Sequence, residues 1–346
     1  MVCTRILGMG CYRFPLHMMR SQVHPLKSLI YTTMKTAGII GGSGYIGSYI
    51  TQKFLKEGYK VNVSATDISK KKKYQHLETL ENANNLTIHP MDVTNIESVR
   101  AFIDGCDIVV HGGTPFQLDV KNPDKELFDP TIKGTENFLG AVHESASVNK
   151  VVLIASVGAF NTGFPMPVAE RSPDHLYRET DVPFFNDESH PYAQAKYYAD
   201  QAVQQFVRDH PDSGVEIVSV YPVAVMGPAL SNREDSTSVG LQYLFKNRIA
   251  PNPFTQMLFD NDVEFSIVDV RDVAEGVYKA ATISRLHGKQ YYLSNESWKV
   301  SDISRMLNNE QVYEKPKFVY SSKNAERDLG ITFRTAAESF GAYSAK

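Results

Sequence analysis

Short apolar runs alternate with helical patterns along most of this chain. The runs are four to eight residues long, as expected of strands that are buried on both faces. They cover residues 37–40, 60–66, 86–91, 107–111, 150–156 and 214–221. Strands that alternate with helices are typical of a parallel sheet with helices on both sides. We therefore expect an α/β fold built on a doubly wound parallel sheet.

The first run leads into a glycine-rich turn, GGSGYIG, and then into a helical pattern that starts at Ser48. A strand, a glycine turn and a helix start together place a pyrophosphate on free backbone N–H groups. Gly41 would permit the tight turn, Gly44 the approach of phosphate, and Gly47 close packing of helix and strand. The same turn contributes Ser43, Tyr45 and Ile46. A turn without a ligand is the alternative, but the flanking elements favour a Rossmann-type nucleotide-binding domain.

Further candidates for cofactor contacts follow the predicted strands, because ligands of open parallel sheets bind at the carboxyl ends of the strands. Asp67 lies twenty residues beyond Gly47, where a carboxylate can bind the adenosine ribose. The lysines of 70–73 follow, and they are either a 2′-phosphate site or a solvated surface. Two further strand ends supply Asp92 and Val93 for the adenine, and Gly112 and Thr114 beside the cofactor.

Tyr192 and Lys196 stand four residues apart in YAQAK, so a helix places their side chains on one face. Reduction of a ketone needs a hydride from a nicotinamide and a proton for the developing alkoxide. A tyrosine of pKa about 10 can donate that proton, and a nearby ammonium lowers its pKa by favouring the phenolate. Lys196 can also hold the nicotinamide ribose, so Tyr192 and Lys196 are candidates for cofactor contacts as well. Ser156 ends the fifth predicted strand, where its hydroxyl can stabilise the substrate oxygen. The YxxxK spacing recurs in the chain, but only Tyr192 follows that strand, which argues against a plain surface tyrosine.

The order of GGSGYIG, MDV, HGGTP, DPTIKGTENFL, LIASVGA and YAQAK resembles that of the extended short-chain dehydrogenase/reductases, from about Lys35 to the C-terminus. Within this superfamily of NAD-dependent epimerase/dehydratase type, the chain is most similar to the group of dihydroflavonol 4-reductase, cinnamoyl-CoA reductase and 3β-hydroxysteroid dehydrogenase. The resemblance implies a catalytic triad of Ser156, Tyr192 and Lys196. It also implies that the loop with Pro222 and Val225 covers the nicotinamide.

Two departures from this family bear on the cofactor and the substrate. The arginine that binds the 2′-phosphate in the plant reductases falls on Thr66, whereas their phosphate-binding lysine falls on Lys73. The ribose-binding acid of NAD-using epimerases falls on Ala65. The chain thus lacks the usual acid for NAD and one of the two usual cations for NADP. Of the two cofactors, we expect NADP(H) rather than NAD(H). Asn161 falls where the flavonoid reductases bind substrate hydroxyls, and it is our only candidate for a substrate contact.

Composition and charge narrow the choice of partners. The chain is 42% apolar and 22% charged with a net charge of −3, which gives no sign of a nucleic-acid surface. No apolar run is long enough to span a membrane, so we expect neither nucleic acid nor membrane as a partner. The cysteines, Cys3, Cys11 and Cys106, form neither a disulfide framework nor a metal-ligand spacing. We therefore expect a reducing compartment and no metal.

Residues 1–34 form a basic leader, since the first acidic residue of the chain is Glu57. Such a leader resembles a mitochondrial presequence, but Pro15 and Pro25 interrupt it. The alternative, which we prefer, is an upstream extension with the functional start at Met34. We expect the leader to be poorly ordered and the protein to be cytoplasmic, or mitochondrial if the leader is a presequence.

The sequence thus predicts a Rossmann domain over 35–222 and a smaller substrate lobe over 223–346, with segments around 265–295 returning to the first domain. The predicted function is NAD(P)-dependent reduction of an aldehyde or ketone, or oxidation of a secondary alcohol. One alternative is a nucleotide-sugar epimerase or dehydratase with tightly bound NAD, although the cations of 225–262 are scattered. The other is a non-catalytic cofactor-sensing protein. We expect a small-molecule substrate and, from the resemblance, a homodimer.

Overall fold

The computed structural model describes residues 34–112, 121–233 and 235–341, and its strands form two sheets. The described strands are β1 Thr36–Ile40, β2 Lys60–Ala65, β3 Leu86–Pro90, β4 Ile108–His111, β5 Lys150–Ile154, β6 Glu216–Pro222, β7 Ala224–Met226, β8 Glu264–Asp269, β9 Gln290–Leu293 and β10 Ser297–Lys299. Seven of these strands form a sheet in the order β3-β2-β1-β4-β5-β6-β9, and every neighbouring pair is parallel. The chain reverses its direction of winding between β1 and β4, where open parallel sheets bind ligands.

Helices cover both faces of the large sheet. The described helices are α1 Tyr45–Lys56, α2 Ile96–Ile103, α3 Gly134–Glu144, α4 Pro191–Asp209, α5 Thr237–Asn247, α6 Pro253–Asp260, α7 Val270–Thr282, α8 Val300–Leu307, α9 Lys323–Leu329 and α10 Ala336–Gly341. Neighbouring residues of β1 point to opposite faces, so Ile39 packs with α1 and α7, and Ile40 packs with α2, α3 and α4. Both faces of the sheet are therefore buried, which confirms the predicted doubly wound architecture.

A second, smaller sheet has the order β10-β8-β7, in which β7 and β8 are parallel and β10 and β8 antiparallel. Its core is a separate apolar cluster that includes Leu241 and Phe245 of α5, Leu258 of α6, Phe265 of β8 and Trp298 of β10. The chain leaves the large sheet after β6, packs α7 against it, and rejoins it as a strand at β9. The small sheet thus lies beside the carboxyl ends of β6 and its neighbours, where it can cover a ligand.

Local contacts set the starts of α2 and α3. A wide π-helical segment spans Asp124–Lys133, and α3 begins directly after it at Gly134. Asn95 caps α2 by accepting hydrogen bonds from the N–H groups of Glu97 and Ser98. The hydroxyl of the neighbouring Thr94 donates instead to the Asp92 carboxylate, at 2.7 Å.

Among the described residues, no helix is both long and apolar enough to cross a bilayer.

Candidate active site

The glycine turn after β1 is shaped by contacts that side chains would block. Gly41 has a φ of +80°, a left-handed conformation that favours glycine, and its N–H donates to the Ser64 hydroxyl at 3.0 Å. A Cβ on Gly47 would lie 2.1 Å from the Gly41 carbonyl oxygen. Gly47 therefore has to be glycine if α1 is to start this close to β1, as the sequence argument requires.

The turn leaves the start of α1 open to an anion. Gly44 is the N-cap residue, and it provides no side-chain hydrogen bond to the helix. The first-turn N–H groups of Tyr45, Ile46 and Gly47, at the positive end of the helix dipole, would therefore donate to an anion bound there. The side chain of Tyr45 points elsewhere, because its hydroxyl donates to the Gly227 carbonyl at 2.9 Å. The residues present thus fit a dinucleotide phosphate through their backbone.

The two carboxylates predicted to bind the adenosine both take part in turns of their own loops. Asp67 accepts hydrogen bonds from the N–H and hydroxyl of Ser69 at 3.0 and 2.6 Å, and these bonds lower the pKa of Asp67. Asp92 accepts from the N–H and hydroxyl of Thr94 at 2.9 and 2.7 Å. Thr66 is exposed beside Asp67. Contacts of these residues with a ribose or an adenine stay predictions.

Two segments bring Ser156, Tyr192 and Lys196 together. Ser156 follows β5 and caps a short turn by accepting from the Gly158 N–H at 3.1 Å. Tyr192 stands in the first turn of α4, where His190 accepts from its N–H at 3.1 Å. The Ser156 hydroxyl lies near the Tyr192 phenol and acts to lower its pKa. One turn further along α4, the Lys196 ammonium donates to the Ile154 carbonyl at 3.4 Å and lies 5.9 Å from the centre of the Tyr192 ring.

Burial changes the proton affinities of this group. It raises the pKa of Tyr192, although the Ser156 hydroxyl acts in the opposite direction. Burial also lowers the pKa of Lys196 to about 8, against the effect of the Asp200 carboxylate. The phenol is thus held protonated, ready to donate, and the neighbouring lysine changes charge close to neutral pH.

Two buried ionisable residues behind Lys196 were missed by the sequence analysis. Asp200, one turn beyond Lys196, accepts a hydrogen bond from the Tyr221 hydroxyl at 2.6 Å, and burial raises the pKa of Asp200 to about 6. His111 ends β4 with its Nε2 atom lacking a hydrogen-bond partner among the described residues. Burial and the charge of Lys196 lower the pKa of His111 to about 4. The spacing YxxxKxxxD could have indicated Asp200, but nothing local indicates His111.

A cavity of about 180 Å³ opens between the large sheet and the second lobe, and the Ser156–Tyr192–Lys196 group lines it. Most of the other lining side chains are apolar: Ile46, Phe164, Val225, Met226, Leu241, Phe254 and Phe265. Gly112 and Pro222 also line it, next to the ends of β4 and β6. Among the described lining residues, Lys196 and His190 are the only ones that can carry a positive charge.

The remaining predicted residues lie away from this cavity. Val93 packs under α3, where a Cβ on Gly134 would lie 2.9 Å from it. Lys73 is half-exposed on the loop after β2 and lies 3.6 Å from Asp235 of the second lobe. Thr114 lies outside the described residues. The sequence analysis missed Asp235 and its neighbour Arg233 as possible partners of the cofactor.

Asn161, the candidate substrate contact, is buried within its own loop. Its side-chain amide donates to the Met166 carbonyl at 2.8 Å and accepts from the Gly163 N–H at 3.0 Å. It also lies near the buried phenol of Tyr320 and acts to lower the pKa of that phenol. The structure therefore gives Asn161 a role in shaping the loop, and it does not bring Asn161 to the described wall of the cavity.

Comparisons with known proteins agree with this geometry. The model of the NAD dependent epimerase/dehydratase family matches residues 37–293. A cinnamoyl-CoA reductase of Medicago truncatula is 30% identical over 257 residues, which are 72% of this chain and 74% of that protein. An anthocyanidin reductase of Vitis vinifera is 30% identical over 60% of each chain, so the aligned part spans only three fifths of that relative. The fold of a yeast methylglyoxal/isovaleraldehyde reductase with NADPH is similar, with a TM-score of 0.71 and 22% identity over 89% of this chain and 96% of that one.

Proposed function

The chain belongs to the NAD dependent epimerase/dehydratase family, within the extended short-chain dehydrogenase/reductases, and from this membership we propose that it reduces an aldehyde or ketone with NADP(H). One observation carries this proposal. Ser156, Tyr192 and Lys196 together line an apolar cavity next to the start of α1. A proton donor thus stands where a carbonyl and a dinucleotide can meet.

The proposed reaction divides the work between cofactor and protein. The bound nicotinamide supplies a hydride to the carbonyl carbon. Ser156 hydrogen-bonds the carbonyl oxygen and stabilises its growing negative charge. Tyr192 donates its phenolic proton to that oxygen, and the positive charge of Lys196 stabilises the phenolate that remains. In the reverse direction, the same phenolate accepts the proton of an alcohol.

The cavity supports an uncharged and largely apolar substrate. Its aromatic and aliphatic lining favours a carbonyl with hydrophobic substituents. A nucleotide-sugar substrate would need cations for its diphosphate, and the described lining offers only Lys196 and His190. We therefore place the epimerase or dehydratase activity second, and the intact group of Ser156, Tyr192 and Lys196 argues against a purely cofactor-sensing role.

The proposal of NADP(H) over NAD(H) rests on Lys73 and on the lack of an acid at Ala65, where NAD-using epimerases of the superfamily have one. Two proteins of similar fold, the yeast reductase and its counterpart from Candida albicans, form complexes with NADPH. Asp67 beside Lys73 is bonded within its own turn, which leaves less of its carboxylate for a ribose.

The test is oxidation of NADPH by the purified protein in the presence of a panel of aromatic and aliphatic aldehydes and ketones, followed by cofactor fluorescence. Tyr192→Phe removes the proton donor, so we expect it to lower turnover by about 10²–10⁴-fold while NADPH still binds. Tyr198→Phe is the matched control on the same helix, because Tyr198 is exposed, and it should leave turnover unchanged. Full turnover by Tyr192→Phe would overturn the proposed mechanism.

A further inference from the structure

The segment between β7 and α5 crosses from the second lobe to the glycine turn. The Arg233 guanidinium donates to the Ser43 carbonyl at 2.9 Å and lies 3.4 Å from the Ser43 hydroxyl. The start of this segment is tied to α1, because the hydroxyls of Tyr45 and Tyr49 donate to the carbonyls of Gly227 and Pro228 at 2.9 and 3.0 Å. These bonds place Arg233 at the glycine turn, although the two are 190 residues apart in the chain.

A carboxylate joins Arg233 to Lys73. Asp235 accepts two parallel hydrogen bonds from the Arg233 guanidinium, at 2.8 and 2.7 Å, and lies 3.6 Å from the Lys73 ammonium. Arg233 lowers the pKa of Asp235, so this carboxylate is charged at neutral pH. Two cations, one from the loop after β2 and one from the segment between β7 and α5, therefore hold one anionic group between them.

This arrangement matches a phosphate better than it matches Asp235 itself. An arginine fork binds phosphate oxygens as it binds a carboxylate, and a lysine adds a point charge. A phosphate monoester carries close to two negative charges at neutral pH, whereas Asp235 carries one. The Asp235 side chain is half-exposed, so solvent screens its ion pairs with Arg233 and Lys73, and a more highly charged competitor can displace it.

We propose that Arg233 and Lys73 together bind the 2′-phosphate of NADP(H), and that Asp235 is the internal anion which this phosphate displaces. The inference rests on the proposed NADP(H)-dependent function and names the cation that the first half of the chain lacks at Thr66. A ribose without the phosphate has no charge with which to displace Asp235. Asp235 therefore competes with the phosphate of NADP(H) for both cations, and only NADP(H) carries a charged group that can displace it and gain the contacts with Arg233 and Lys73.

The test compares the dissociation constants of NADPH and NADH, measured on the full chain by cofactor fluorescence. Arg233→Ala should raise the dissociation constant of NADPH by about 10–100-fold, as expected for the loss of a charge-assisted contact. The dissociation constant of NADH should change by less than about threefold. Asp235→Asn should strengthen NADPH binding, because the competing charge is gone. Lys73→Ala should lower the affinity for NADPH. Lys72→Ala is the matched control, because Lys72 belongs to the same lysine run but lies outside this ion-pair group, and it should leave the affinity unchanged.

The outcomes separate this inference from the proposed function. If the wild-type protein binds neither cofactor, both fail. If it binds both cofactors and Arg233→Ala weakens them equally, Arg233 serves the pyrophosphate or the packing of the segment, and the 2′-phosphate role is overturned. A ratio of NADH to NADPH dissociation constants that is the same in Arg233→Ala as in the wild type would also overturn the 2′-phosphate role. The midpoint of urea unfolding, compared between each variant and the wild type, shows that the change in affinity is not a loss of folding.

Discussion

The start of α1 at Gly47 offers the sharpest prediction about cofactor binding. An ideal Cβ at Gly47 would lie 2.1 Å from the Gly41 carbonyl oxygen and 2.8 Å from the Gly42 Cα. Real Cβ atoms essentially never approach a heavy atom within 3.0 Å, so Gly47→Ala must separate α1 from the turn by about 0.9 Å. Both contacting atoms belong to the backbone, which cannot rotate away as a side chain can.

The expected cost has two parts. Overpacking of this kind lowers the free energy of unfolding by about 1–3 kcal/mol. The displaced turn also moves the N–H groups that would meet the pyrophosphate, and loss of one charge-assisted hydrogen bond weakens binding by about 10–100-fold. We therefore expect Gly47→Ala to remain folded in the absence of urea but to bind NADPH at least tenfold more weakly.

The assay pairs urea unfolding with titration of NADPH. Gly240→Ala is the matched control, because a Cβ at Gly240 in α5 meets nothing within 4 Å. It should raise the free energy of unfolding by up to about 1 kcal/mol, since alanine favours a helix, and leave the NADPH dissociation constant unchanged. Wild-type affinity for NADPH in Gly47→Ala would refute the reasoning that the cofactor lies on this turn.

Two further predictions concern buried carboxylates. The pKa of Lys196 is lowered to about 8, so kcat/KM for carbonyl reduction should fall above about pH 8 as the ammonium loses its proton. Asp200→Asn removes the negative charge that favours the Lys196 ammonium, so the fall in kcat/KM should begin at a lower pH. A fall at the wild-type pH would show that Asp200 does not act on Lys196. Asp269 caps α7 by accepting from the Arg271 N–H at 2.7 Å. Asp269→Ala should therefore lower the free energy of unfolding by about 0.5–2 kcal/mol, measured in urea, and an unchanged midpoint would contradict the capping role.

Features that depend on neighbouring residues could be predicted from the sequence. The glycine turn is an example, because Gly41 and Gly47 are required by contacts within a stretch of a few residues. The doubly wound sheet follows in the same way from short apolar runs between helical patterns. The pairing of Tyr192 with Lys196 rests on helix periodicity, and α4 does bring both to the same cavity.

Features that depend on distant segments could not be predicted. Arg233 reaches Ser43 only because the segment after β7 folds back over α1, and no local pattern encodes that path. In the sequence, His111 is simply the last residue of a strand. Its proximity to Lys196 appears only in the folded protein, where both residues line the same small pocket. Asn161 matched a family position, yet its own loop uses its amide. Sequence spacing indicates which residues share an element, whereas the partners across the cleft are set by tertiary packing.

Transfer of deuterium tests the central proposal most directly. The wild-type protein is incubated with NADPH that carries deuterium on C4 of the nicotinamide, together with the panel of apolar aldehydes and ketones, and the alcohols are analysed by mass spectrometry. The account predicts one deuterium on the carbinol carbon of at least one product with the wild-type protein and Tyr198→Phe, and a large loss of that product with Tyr192→Phe. Tight binding of NADPH without deuterium transfer to any carbonyl, or undiminished transfer by Tyr192→Phe, would contradict it.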